Sequence, residues 1–361
     1  MRSTRRPTGF FRIGRRRCPR CRPPVRAAMI LRLQKMFFDS SKSGRMRVST
    51  HRRWLLVVLL AAAVGCGEGG RPARDAGGGG GGSRPRVVAT TTVVADLVRQ
   101  VGGDRVSVEC LMAPGIDPHS YRPTPRDADR LAAADLVVAS GLHLEGKLAT
   151  LLERLGSSRP VAVVGDSLPT GELLAVGGGM FDPHVWFDAK LWSRCPPIVA
   201  KALAAVDPPG AADYRARAEA YVARLVAVDE RTRQRIAEIP EPQRVLVTAH
   251  DAFRYFGRAY GIEVVGVQGT STESEAGLAD INRLVDLVVT RGVPSVFVET
   301  SVSDRNVAAL REGAAARGHD LRLGGTLYSD SLGAEGSGAD TLEAALEANV
   351  RTIVAGLKGE P

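Results

Sequence analysis

From Ala211 to Ile239 the chain runs 29 residues without a glycine or a proline, bounded by Pro208-Pro209-Gly210 before and Pro240 after. Tyr214, Ala218, Tyr221, Leu225, Val228, Thr232 and Ile236 recur at spacings of three and four, which places them as one stripe along a helix. At 1.5 Å per residue such a helix reaches ~43 Å, long for a globular helix and enough to run the height of two stacked domains. One unbroken helix is expected, with two shorter helices meeting at a kink as the alternative.

On both sides of this segment the chain alternates between strands and helices. Before it come RVVAT then TTVVADLVRQVGG, VSVECLMAPG, TPRDADRLAAAD entered with Pro125, LVVASG, LEGKLATLLERLG and VAVVGD. After Pro240 the pattern restarts with RVLVTAH, DAFRYFGRAYG, IEVVGV, ADINRLVDLVVTRG, VPSVFVET, NVAALREGAAARG, LRLGGTLYSDSLG and a last helix, ADTLEAALEANVRTIVAGLKG. The strands are apolar runs rather than strict alternations, which predicts parallel sheets covered on both faces and an α/β fold class. The expected division is a first α/β lobe over residues 86–208, a connecting helix over 209–240 and a second α/β lobe over 241–361.

The formal net charge of +10 suggests a nucleic-acid partner until it is divided along the chain. Residues 1–65 hold 17 Lys and Arg against one Asp, whereas the chain from Cys66 onward holds 32 basic and 38 acidic residues. A weakly acidic body offers no basic stripe for phosphate backbones, so nucleic acid is excluded as a partner. The basic part has another explanation. Arg52-Arg53, an apolar run from Trp54 to Val64 and small residues before Cys66 form a secretory signal over residues 46–65. The run is shorter than the ~20 apolar residues a spanning helix needs. Ala63-Val64-Gly65-Cys66 resembles a bacterial lipobox, which implies lipidation of Cys66 and anchoring by acyl chains. Met46 is the expected initiator, with residues 1–45 a non-native extension, and the CPRC of Cys18–Cys21 lacks the second cysteine pair a zinc knuckle needs. Residues 66–85, containing six consecutive glycines, read as a flexible linker.

Six histidines occur in the chain, and two sit in the same tripeptide: Asp117-Pro118-His119 within GIDPHSYRPTPRD, and Asp182-Pro183-His184 within DPHVWFD. His250 ends the strand RVLVTAH, and Asp330 lies just past LRLGG in TLYSDSLG. Three of these four follow sheet strands, the edge at which open α/β sheets bind ligands. Two come from each half, so a cleft between the lobes would gather them. Three imidazoles and a carboxylate suit zinc, manganese or ferrous iron rather than calcium or magnesium. His143 in GLHLEG reads as structural and His319 in ARGHD as solvent-facing. Cys110 reads as a buried small hydrophobe, and Cys110 and Cys195 are not expected to pair.

Taken together, GIDPHSYRPTPRD, GLHLEGKL, DPHVWFD, TAHDAFRYFGRAYGIEV and TLYSDSLG closely resemble the metal-binding solute receptors of bacterial ABC importers, from about Arg86 to the C-terminus. The resemblance implies that His119, His184, His250 and Asp330 ligate one transported divalent ion. It further implies two α/β lobes bridged by one long rigid helix, small lobe movements, an extracytoplasmic location and a membrane permease as partner, the receptor itself being a monomer. Some manganese receptors carry Glu where His250 stands, so the chain resembles the three-His-one-Asp subgroup. Many zinc receptors have a long His-rich loop between the first two ligand motifs. SLPTGELLAVGGGM has no histidine there, which tilts the expected cargo toward manganese or a manganese–zinc mixture.

Two other classes stay open at this level: a metal-dependent hydrolase, and a surface adhesin with a structural metal. A hydrolase would need a base such as Glu299, Glu273 or Glu275, although Glu299 reads better as a carboxylate supporting a ligand. Two further expectations follow from residue types alone. Imidazoles of ordinary pKa, ~6.5, would lose metal as the pH falls through the acid range. Asp330, in a polar loop, would scarcely affect the stability of the metal-free chain.

Overall fold

The computed structural model describes residues 84–359. The signal segment, Met46, Cys66 and the CPRC stretch lie outside the described residues. The first series comprises β1 (Arg86–Ala89), α1 (Thr92–Gly102), β2 (Ser107–Cys110), α2 (Pro125–Ala132), β3 (Leu136–Ala139), α3 (Ala149–Gly156), β4 (Val161–Val163), the short strands β5 (Ala175–Gly177) and β6 (Met180–Phe181), α4 (Ala189–Trp192) and α5 (Cys195–Val206). After α6 (Ala211–Ala237) the second series runs β7 (Val245–His250), α7 (Arg254–Tyr260), β8 (Glu263–Gln268), α8 (Leu278–Arg291), β9 (Ser295–Glu299), α9 (Arg305–Ala315), β10 (Arg322–Leu327) and α10 (Leu342–Lys358). The fold is α/β, as the apolar runs predict.

Two four-stranded sheets form, ordered β2-β1-β3-β4 and β8-β7-β9-β10, and every pair in both is parallel. The two orders are the same when counted from each sheet's first strand. In each, the chain begins at an inner strand, adds one neighbour on one side and then turns to the other. The point of reversal therefore lies between β1 and β3 in one sheet and between β7 and β9 in the other, where α/β sheets open a crevice at their carboxyl edge. All six residues of β7 and all four of β3 are buried, consistent with strands covered on both faces.

Local chemistry sets the helix ends. Thr124 caps α2, with Pro125 in the first turn and Asp127 returning to the Thr124 N–H at 2.8 Å. Gly261 and Gly292 end α7 and α8 at φ 71° and 61°, a left-handed conformation that costs glycine little. α6 is continuous for 27 residues, and its buried residues are Tyr214, Ala218, Tyr221, Leu225, Val228, Thr232 and Ile236, the stripe seen in the sequence. α6 packs against α1, α4 and α5 of the first series and α7 and α10 of the second. Asp96 of α1 joins three helices, accepting from Tyr221 Oη at 3.3 Å and from the Leu342 N–H at the start of α10 at 3.0 Å.

Two details differ from the sequence reading, the start of α3 and the burial of Cys110. The helix expected from Leu144 starts only at Ala149. Glu145 instead turns its carboxylate back to the Ser140 and Gly141 N–H groups at 2.8 and 3.1 Å and to Thr90 Oγ1 at 2.5 Å, holding a turn in place of a helix. The end of the SLPTGELLAVGGGM segment enters the β5–β6 hairpin, whose glycines 177–179 all have positive φ. Cys110 is only half-buried, its thiol donating to Met112 O at 3.0 Å, while Cys195 is fully buried; both are free thiols.

Candidate metal centre

Each side chain reaches the site by a short local device. His250 is the last residue of β7. Extending the β7–β9 register, in which Thr248 pairs with Phe297, brings it beside Glu299 at the end of β9. A Cβ on Gly266 of β8 would collide with the Asp251 backbone, so glycine there lets the chain turn immediately after His250. His119 and His184 occupy two copies of one turn: the Asp117 carboxylate accepts the His119 N–H at 2.9 Å, and Asp182 accepts that of His184 at 3.0 Å. Asp330 lies three residues beyond β10.

The four side chains converge, with one donor atom from each lying within 4.8 Å of all the others. His184 Nε2 stands 3.3 Å from His119 Nε2 and 3.4 Å from His250 Nε2. Asp330 Oδ1 is 3.2 Å from His184 Nε2, and its Oδ2 is 3.3 Å from His250 Nε2 and 3.7 Å from His119 Nε2. Donors placed tetrahedrally at zinc bond lengths of about 2.0–2.2 Å stand about 3.3–3.6 Å apart. The five distances here, 3.2–3.7 Å, lie near those edges, and the four-donor set as a whole spans no more than 4.8 Å.

The outer nitrogens decide how two of the rings are presented. Asp182 Oδ1 accepts His184 Nδ1 at 2.7 Å, and Glu299 Oε2 accepts His250 Nδ1 at 2.5 Å. With Nδ1–H engaged, the neutral ring carries its lone pair on Nε2, aimed at the centre. Glu299 also accepts the His250 N–H at 2.8 Å, so both of its oxygens are committed.

His184, His250 and Asp330 are at most 1% exposed and His119 is 5% exposed, so charge here is expensive. Asp330 holds two buried oxygens with no hydrogen-bond partner among the described residues. The neighbouring imidazoles are within ion-pair distance but lack hydrogen-bond geometry, so the contact is Coulombic. Burial works against the Asp330 carboxylate, yet His250 and His184 outweigh it and hold its pKa well below the ordinary range. Burial also disfavours charge on His184, but Asp330 and Asp182 overcome this and push it up to about 9. His250 rises well above its ordinary value in the same way, burial being outweighed by Glu299 and Asp330. Burial prevails at His119, which drops to about 4. The Asp330 carboxylate thus favours charge on His184 and His250, while burial disfavours it on His119.

Residues 87–356 match the family described as zinc-uptake complex component A, periplasmic. The chain belongs to this family. Among its relatives, the manganese-binding lipoprotein MntA of Bacillus subtilis is 43% identical over 266 residues, covering 73% of this chain and 87% of that protein. The zinc-binding protein TroA of Treponema pallidum is 41% identical over 265 residues, covering 73% and 86%. The solved structure of TroA superimposes with a TM-score of 0.75 over 76% of this chain and 99% of that one. The iron-binding protein YfeA of Yersinia pestis is 30% identical over 264 residues, covering 73% and 83%.

Other residues noted in the sequence fall outside the cluster. Glu273 pairs with Lys147 at 2.7 Å and Glu275 is exposed. His143, expected to be structural, is exposed, with a left-handed φ of 63°. His319, expected to face solvent, is half-buried because its ring reaches under the start of β9 to Val293 O at 2.8 Å. The role of Asp182 toward the His184 ring was missed, although the repeated Asp-Pro-His tripeptide was the available signal. Asp182→Ala is expected to weaken zinc binding about 10- to 100-fold, measured by chelator competition; unchanged affinity would show that the ring needs no such support.

Proposed function

We propose that the chain is the extracytoplasmic receptor of an ABC importer, capturing one divalent transition-metal ion between His119, His184, His250 and Asp330 and delivering it to a membrane permease. The observation that carries this reading is Asp330, a fully buried carboxylate with two unpartnered oxygens facing three converging imidazole nitrogens. Such a group needs a cation, and a nitrogen-rich shell selects a transition metal. Manganese and zinc are the cargo that the names of the relatives support, and intrinsic affinity at such a site favours zinc over manganese.

On this reading residues 86–208 and 241–361 act as two lobes, and the continuous helix within 209–240 restrains them to small movements. The receptor works as a monomer, tethered by a lipid on Cys66 through the glycine-rich linker. Among the described residues no helix is long and apolar enough to cross a membrane. Transport rather than hydrolysis is supported by the donor count, since four protein ligands leave no open coordination position. Glu299 is spent on His250 and Glu273 on Lys147, which leaves neither free as a base.

Elemental analysis of the full chain after dialysis against Zn²⁺ or Mn²⁺ should give one ion per chain. Two tight ions, or none, would overturn the reading. In cells lacking the gene, labelled manganese or zinc uptake should return with the wild-type gene and not with an Asp330→Ala variant.

A further inference from the structure

Asp330 belongs by sequence to the second series, following β10, but its neighbours are held from the first. Up to residue 329 the supports come from the second series: Thr300 N–H donates to Leu327 O at 3.0 Å, Asn349 brackets Tyr328 with bonds of 2.9 and 2.7 Å, and Ser301 Oγ lies 3.1 Å from Ser329 Oγ. From the Ser329 carbonyl onward the first series also takes hold. The Trp186 indole N–H donates to Ser329 O at 3.1 Å. Ser331 Oγ accepts the Gly115 N–H at 2.8 Å and lies 3.4 Å from Thr92 Oγ1, which itself accepts the Leu332 N–H at 2.8 Å. Gly115 is on the loop that carries His119, and Trp186 is two residues past His184.

We propose that Thr92 and Ser331 are positioning residues for metal capture, fixing Asp330 to the part of the structure that carries His119 and His184. This rests on the receptor reading above. Thr92 is the first residue of α1, and Ser331 is 1% exposed, so neither hydroxyl sits on a freely moving surface loop. One bond reaches the Ser331 side chain and the other the Leu332 N–H, the two residues that follow Asp330, where a small displacement changes the direction of the carboxylate. His250, by contrast, is tied through its N–H and Nδ1 to Glu299 of β9. Asp330 is thus held from both sides, by the second series up to Ser329 and by the first series through Ser331 and Leu332, whereas His250 is tied to the second series alone. Loss of the first-series bonds would free the anionic ligand from the loop that carries His119.

The test compares Zn²⁺ affinity by chelator competition on the full chain for wild type, Thr92→Val, Thr92→Ser, Ser331→Ala, Asp330→Ala and the double variants Asp330→Ala/Thr92→Val and Asp330→Ala/Ser331→Ala. Thr92→Val and Ser331→Ala are each expected to bind about 10-fold or more weakly, with Thr92→Ser restoring wild-type affinity. Once Asp330 is absent, neither substitution should cause further loss, because residues acting through a shared partner are not additive. Wild-type affinity in both single variants would overturn the proposal, as would an equal loss in the Asp330→Ala background. If Thr92→Val does not fold, Ser331→Ala carries the same comparison alone. A wild-type chain that binds no zinc would overturn the receptor reading itself and the positioning role with it.

Discussion

Asp330→Ala is expected to weaken Zn²⁺ and Mn²⁺ binding by more than the roughly 10- to 100-fold that loss of a ligand's supporting partner costs. The substitution removes the one anionic donor of the set and leaves three neutral ones, so binding should weaken rather than vanish. Thermal stabilisation by metal should shrink in parallel, because it follows affinity for the folded state. The metal-free chain should change too, contrary to the expectation for a residue in a polar loop, since Asp330 is 1% exposed and faces the three imidazoles. His184 is raised to about 9, with burial opposing and Asp330 and Asp182 favouring its charge. A histidine raised in the folded state contributes stability that is fully present below its unfolded pKa of ~6.5 and is lost as pH rises through the folded value. Asp330→Ala should therefore lower the metal-free melting temperature at pH 6 and have less effect near pH 9. Equal shifts at both pH values would contradict the coupling, and unchanged metal affinity would remove Asp330 from the site.

The second large effect is on the pH dependence of capture. Unperturbed histidines would lose metal only as pH falls through the acid range. Asp330 and Asp182 push His184 up to about 9, and Glu299 and Asp330 raise His250 well above its ordinary value, so an incoming ion is expected to displace protons already at neutral pH. Zinc affinity should fall about tenfold per pH unit for each displaced proton, beginning well above pH 7. His119, kept neutral by burial down to about 4, should contribute only at the acid end. Dissociation constants measured from pH 8.5 to 6.5 with proton release followed in parallel would check this. A flat profile above pH 7 would show that the metal-free site is already unprotonated.

Patterns that repeat over a few residues were legible without coordinates. The stripe from Tyr214 to Ile236 has helical period and lies within one continuous helix, and the apolar runs of β1, β3, β7 and β9 read as parallel strands because such strands are buried on both faces. The repeated Asp-Pro-His turn was visible because an Asp side chain capping the N–H two residues on is a local interaction. His119, His184, His250 and Asp330 could be singled out by residue type and by their place after strands. Their convergence, however, depends on segments up to 211 residues apart in the chain.

What tertiary structure decided is of that second kind. The order β2-β1-β3-β4 and its repetition in the second sheet arise from which strands pair, and no single strand's pattern encodes its neighbour. The turn at Gly141–Lys147 replaces a helix because Glu145 finds Thr90, 55 residues away, along with two backbone N–H groups. The burial of Asp330, the raised pKa of His184 and His250, and the bonds from Leu332 to Thr92 and from Gly115 to Ser331 all follow from charges and hydroxyls brought close only by folding. Residue type sets which atoms can bind an ion. The low-dielectric enclosure formed by distant segments sets their charge and spacing.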